Sequence, residues 1–99
     1  MSGLIGDLNK AFDSRIRLGI MSLLMVNDFV EFNTVKEILK ISDGNIASHI
    51  SALEKIGYVS VRKEFRGKKP VTSYSATIAG RKAFEKHLAA LEHLLKSGR

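Results

Sequence analysis

Apolar residues recur at helical spacing along most of this chain, and the interruptions mark its turns and one hairpin. Leu4, Ile5, Leu8 and Phe12 fall three to four residues apart and predict one apolar helical face. Asp13 is placed to cap a second helix, in which Ile16, Ile20, Leu23 and Leu24 keep the spacing and Arg15 and Arg17 point outward. The pattern ends near Asn27-Asp28, so the N-terminal helices occupy 4–27. Phe29 to Phe32 reads as a short extended piece. Thr34-Val35-Lys36-Glu37 fits a capping box, with Thr34 capping a backbone N–H and Glu37 reaching back. Val35, Ile38 and Leu39 then face inward on a short helix ending near Lys40. Ile41-Ser42-Asp43-Gly44 is a tight connection, with Ser42 as N-cap of the next helix.

From Asp43 to Ile56 the residues Ile46, Ile50 and Leu53 share a narrow arc at about 100° per residue. Gly44, Ser48, Ser51 and Lys55 lie opposite, with Ala47 beside them. Exposed helix faces ordinarily carry Glu, Lys, Gln and Arg, which are better helix formers. A small-sided face suits a helix that must lie close against another surface; the bland alternative is a surface helix built of weak formers. Gly57 stops the helix. Tyr58 to Phe65 is β-rich, with Val59, Val61 and Phe65 on one face at period two. Arg66 to Pro70 reads as a turn and Val71 to Ala76 as the return strand. Thr77 caps a closing helix over 77–96, striped by Phe84, Leu88, Leu91 and Leu95. The predicted class is mainly α with a small β-sheet, in one domain over 1–99.

Charge sharpens this picture. The 99 residues carry 16 Lys+Arg against 10 Asp+Glu, a net of +6. Residues 1–57 hold six basic and seven acidic side chains, whereas residues 58–99 hold ten and three. In the hairpin Arg62, Lys63, Arg66, Lys68 and Lys69 oppose only Glu64. Such a segment suits a polyanion, nucleic acid or acidic lipid, or else serves solubility. With no cysteine there is no disulfide, thiolate nucleophile, cysteine zinc site or thiol sensor. The richest apolar run, Leu18 to Val26, falls far short of the roughly 20 residues that span a bilayer. The N-terminus lacks the basic start of a secretory signal, so a cytoplasmic protein is expected. His49, His87 and His93 show neither metal nor triad spacing, so no enzyme, cofactor or metal is expected. Glu85, His87, Glu92 and His93 bring carboxylates and imidazoles together on the closing helix, without a matching ligand pattern.

The order of pieces resembles winged helix-turn-helix transcriptional regulators of the MarR and ArsR type. Phe32-Asn33-Thr34-Val35-Lys36 looks like the start of the first motif helix. Ser42 to Val59, with its Leu53-Glu54-Lys55-Ile56-Gly57 ending, looks like the recognition helix and first wing strand. Tyr74 to Arg81 resembles the Thr-x-x-Gly-Arg step that closes the wing and starts the dimerisation helix. The resemblance spans about residues 13–96 and implies a helix-turn-helix at 34–56 and a wing at 58–76.

In such a domain the second helix enters the major groove. Gly44, Ala47, Ser48 and Ser51 permit the close approach, and Asn45 can pair with adenine. Ser48 stands where the family often has Arg, which points away from strong guanine readout. His49 flanks the buried arc, either half-buried with a backbone partner or in contact with a phosphate or base. The resemblance implies that Arg62, Lys63, Arg66, Lys68 and Lys69 lie along the DNA backbone or in the adjacent minor groove. Lys55 and the helix start at Asn33-Thr34 add phosphate contacts, while the carboxylate of Asp43 opposes one.

The family further implies a homodimer, in which Leu4, Ile5, Leu8 and Phe12 with Phe84, Leu88, Leu91 and Leu95 pack across a two-fold axis. Pairing of the two stripes within one chain is the alternative. The expected function is a double-stranded DNA-binding repressor acting by occlusion; any small-molecule effector, of unknown identity, would bind between terminal and motif helices. The competing reading is a winged-helix protein–protein module. Membrane binding would require apolar exposure on an amphipathic helix beside the charge, whereas the basic residues sit on a hairpin.

Overall fold

The computed structural model describes residues 3–98, with side chains from Ile5 onward. The N-terminal stripe is not one helix. α1 is a single turn, Gly3–Gly6, and a 3-10 turn follows at Lys10–Phe12. Asn9 breaks the run: its backbone is extended and its side-chain oxygen accepts from the Ala11 N–H at 2.9 Å. A short polar side chain that bonds its own backbone competes with helix continuation.

α2 spans Arg15–Met25. Its N-cap is Ser14, whose hydroxyl accepts from the Arg17 N–H, and not Asp13, which ends the preceding turn. The following β1, Val30–Glu31, leads straight into α3, Phe32–Leu39. The capping box expected at Thr34 and Glu37 is therefore absent. Pairing of Val30 with Tyr74 and Glu31 with Ser73 holds Glu31 extended, so the helix begins at Phe32 and Thr34 lies inside its first turn. Ile38 faces solvent and not the core.

α3 stops at Lys40, whose φ of 53° and ψ of 51° lie in the left-handed region. That conformation costs an L residue roughly 1–2 kcal/mol, and Gly avoids the cost. Lys40→Gly is expected to raise stability by about 0.5–1 kcal/mol after the entropy lost from a more flexible unfolded chain. A lower urea midpoint would show that the lysine side chain contributes more than the strain removes.

α4, Asp43–Lys55, has Ser42 as N-cap, its hydroxyl accepting from the Asn45 N–H at 3.2 Å. Its end is a Schellman motif: Tyr58 N–H donates to the Leu53 carbonyl and Gly57 N–H to Glu54, both at 3.0 Å, with Gly57 at φ +82°. β2, Val59–Arg66, and β3, Lys69–Ala76, form an antiparallel hairpin, and the sheet order is β1-β3-β2. The turn is only Gly67-Lys68, with φ +66° at Gly67. Pro70, expected in the turn, lies in β3 opposite Phe65. β1 pairs only as far along β3 as Ser73 and Tyr74, so the proline sits where β3 is an edge and no N–H is needed. Val59 is buried, but Phe65, on the same face of β2, is 74% exposed because near the turn nothing packs on that face of the hairpin.

α5, Ile78–Ser97, is capped by Thr77. The core is one cluster in which Ile20, Met21 and Leu24 of α2 meet Val35 of α3, Ile46, Ile50 and Leu53 of α4, and Val59 and Tyr74 of the sheet. Phe12 and Phe84 extend it, their rings edge to face with centroids 5.1 Å apart. The radius of gyration is 15.0 Å, where a compact chain of this length has about 13 Å. The molecule is elongated, with a long axis of 55 Å against 25 and 21 Å.

Candidate nucleic-acid interface

Three inward anchors, Ile46, Ile50 and Leu53, set the rotation of α4, and that rotation turns Gly44, Asn45, Ala47, Ser48, Ser51 and Lys55 to solvent together. A Cβ built at Gly44 would meet nothing within 4 Å. Packing within the chain therefore does not require glycine there, although Gly costs a helix about 1 kcal/mol relative to Ala. Asp43, at the start of the helix, is neutralised by Lys36 at 2.7 Å.

The hairpin follows α4 in the chain, and its first strand packs against that helix. Lys63, Lys68 and Lys69 are exposed, and none is in an ion pair among the described residues. Arg62 lies 3.4 Å from Glu64, an exposed pair of little energetic weight. Arg66 is different: its guanidinium donates to the Glu31 carboxylate at 2.7 Å, and this hydrogen bond, then the charge of Glu31, raises its pKa above the ordinary arginine value. The contact closes a cleft in which Glu31 and Asn33 at the start of α3 face Arg66, Lys69 and Thr72 of the wing. Asn33 and Thr34 are both exposed. The structure thus brings the start of α3 to the turn end of the wing.

His49 is half-buried, and its partner is not backbone. Its Nδ1 accepts from the Arg17 Nε–H at 3.0 Å. His87 is buried between Phe12 and Phe84, and its Nδ1 accepts from the Asn9 N–H at 3.0 Å. Among the described residues no cluster of three or more His, Asp or Glu can hold a metal ion. No helix among them is long and apolar enough to cross a membrane.

The Thr-x-x-Gly-Arg step has a physical reading at each position. Thr77 Oγ1 accepts from the Gly80 N–H at 2.9 Å and donates to the Gly57 carbonyl at 2.6 Å. A Cβ at Gly80 would fall 2.9 Å from the Tyr58 carbonyl carbon and closer still to its oxygen, so only glycine lets α5 start there. The Arg81 guanidinium donates to the carbonyls of Leu24, Met25 and Asn27 at 3.2–3.3 Å, capping the end of α2. These contacts lock the wing and α5 to the body that carries α4. No local pattern marks Glu31 or Arg17 for these roles, since each reaches a residue more than 30 positions away, whereas Arg81 is marked by the Thr-x-x-Gly-Arg step and only its target at the end of α2 is not.

The residues expected at a seam between copies divide. Phe12 and Phe84 are each 3% exposed within one chain and have no surface left for a partner. Here the two terminal stripes meet internally at Phe12 and Phe84, and α1 lies against α5 of the same chain. Leu8 is half-buried, Ile5 is exposed, and the side chain of Leu4 lies outside the described residues. Leu88, Leu91 and Leu95 remain 46%, 39% and 77% exposed.

Comparison with known proteins agrees with this architecture. Residues 16–95 match the family described as winged helix DNA-binding domain. An uncharacterized protein of Methanocaldococcus jannaschii is 34% identical over 88 residues, 89% of this chain and 96% of that protein. A transcriptional regulator homologue from Pyrococcus horikoshii superposes with a TM-score of 0.77 at 28% identity, covering 89% of this chain and 92% of that one. The structure of reduced AbfR bound to DNA shares the fold, with a TM-score of 0.76 at 16% identity over 96% of this chain and 70% of that one. The resemblance to winged helix-turn-helix regulators holds at the level of the family, which is one of DNA-binding regulators and not of enzymes. With 80 of its 99 residues matched, from α2 through the helix-turn-helix and wing to the closing helix, this chain belongs to the winged helix DNA-binding domain family.

Proposed function

We propose that the protein is a sequence-specific double-stranded DNA-binding transcriptional regulator that acts as a homodimer and represses by occluding its site. The observation that carries this reading is the outer face of α4, small-sided, exposed and open above Gly44, on a helix packed against the first strand of the lysine-bearing wing. Short side chains let the helix axis approach base edges, and the wing cations supply affinity that does not depend on sequence. The cytoplasmic location expected from the sequence goes with that role.

Homodimerisation is supported by Leu88, Leu91 and Leu95, an apolar stripe left open along the second half of α5. A second copy of the same stripe is a self-complementary partner. Two copies would present two reading helices to half-sites about 10 bp apart or multiples of it. Because Leu88 and Leu91 are partly exposed in the single chain, Leu88→Gln with Leu91→Gln is expected to give a folded monomer, read by sedimentation and far-UV circular dichroism. A folded dimer from the double variant would refute the seam.

The reading as a whole is tested by selecting bound duplexes from a random DNA pool, with a palindrome as the expected product. Asn45→Ala and Ser48→Ala are each expected to relax preference at one base position, by tenfold or more for Asn45 if it makes a paired contact worth about 1–3 kcal/mol. Equal losses on selected and random DNA would remove base reading from these residues. The exposed ring of Phe65 on the wing favours the second reading, a module that binds another protein. Absence of any enriched duplex would support that module over the regulator.

A further inference from the structure

One polar contact ties the reading helix to α2, and its chemistry fixes more than a distance. Arginine has only donors, so the bond between Arg17 Nε and His49 Nδ1 at 3.0 Å runs one way. The neutral ring must then carry its proton on Nε2. Nε2 makes no hydrogen bond among the described residues, and no buried side-chain nitrogen or oxygen among them is left unpartnered, so this N–H reaches solvent. His49 lies one helical turn after Asn45 on the flank of α4 that borders the start of α2. There Arg15, Lys40, Ser42 and Asn45 line one cleft that contains no acidic side chain.

We infer that Arg17 is a positioning residue for DNA recognition: it holds His49 as an outward Nε2–H donor for an acceptor on the duplex, a phosphate oxygen or the N7/O6 edge of guanine. The inference rests on the DNA-binding reading above and adds a residue and a hydrogen-bond direction to it. The guanidinium takes over the Nδ1 side of the ring, so the imidazole is presented in one tautomer before DNA arrives. Ordering of this kind removes an entropy cost from association.

Two measurements test it. In the free protein, long-range nitrogen–proton NMR of the His49 ring is expected to report the Nε2–H tautomer alone, and a mixture of tautomers in Arg17→Met. An Nδ1–H tautomer in the native protein, or an unchanged pure tautomer in Arg17→Met, overturns the positioning role. On the duplex recovered by selection, Arg17→Met is expected to weaken binding about tenfold, and less than about twofold when His49 is already Phe. His49→Gln, whose amide N–H can stand near the position of Nε2–H, is expected to keep most of the binding; thermal midpoints of all variants control for folding. An equal tenfold loss in the His49→Phe background would mean that Arg17 meets the DNA by itself and overturns the inference. Duplexes with single guanines replaced by 7-deazaguanine, which lacks N7, or by 2-aminopurine, which lacks O6, separate the two acceptors: loss of the Arg17–His49 coupling at one guanine identifies a base edge, and coupling that persists on every duplex of both kinds identifies phosphate. Failure of the native protein to bind any duplex would overturn the DNA reading and this inference with it, whereas binding without coupling would overturn the inference alone.

Discussion

Gly80→Ala is expected to cost about 3 kcal/mol or more, although alanine is the better helix former by about 1 kcal/mol. The new methyl group would drive into the Tyr58 carbonyl, and neither side can withdraw cheaply. That carbonyl accepts from the Thr77 N–H at 3.0 Å. The start of α5 is also held by Thr77 Oγ1 on Gly57 and by Arg81 on three carbonyls at the end of α2. A clash with backbone has no flexible side chain to absorb it, so the helix must shift and strain several bonds together. For a domain of this size the loss corresponds to a fall in Tm of roughly 12 °C or more. Thermal unfolding checks it, and a variant as stable as the native protein would refute the close approach of α5 to Tyr58.

The second large effect concerns DNA. Replacing Lys63, Lys68 and Lys69 with alanine is expected to lower affinity for every duplex roughly a hundredfold at moderate salt. The slope of log affinity against log salt should become shallower by about 2.7 per protomer, at about 0.9 for each phosphate no longer neutralised. Arg66→Ala should do less, because Glu31 already occupies that guanidinium. Binding measured by fluorescence anisotropy across a salt series separates these variants. An unchanged slope in the triple variant would remove the wing from the interface. All of these side chains are exposed, so the substitutions should leave the fold intact.

Much of the architecture was legible as local pattern. The inward arc of α4, its Ser42 cap, its stop at Gly57 and the Thr77 cap all act over four or five residues, and each appears where the spacing puts it. The small outer face of α4 comes from that arc alone. The departures lie where distant chain intervened. Thr34 and Glu37 carry a valid capping sequence, but sheet pairing of Glu31 with Ser73 starts the helix two residues before Thr34. Phe65 keeps the alternation of a buried strand, yet the hairpin carries it beyond anything it can pack on.

By itself the sequence determined α2 to α5, the hairpin, the face of α4 that looks outward, and the concentration of cations on the wing, because periodicity and capping are short-range; the broken stripe before α2 it did not. It could not assign partners. Phe12 and Phe84 have the same spacing whether they meet within one chain or across two, and only the tertiary structure put them together. It likewise decided that Arg66 is held by Glu31, that His49 is held by Arg17, and that Leu88, Leu91 and Leu95 stay open. These outcomes depend on which surfaces converge after the chain has folded. Burial and ion pairing answer to that convergence, and a one-dimensional pattern of apolar and charged positions holds only one side of each pairing.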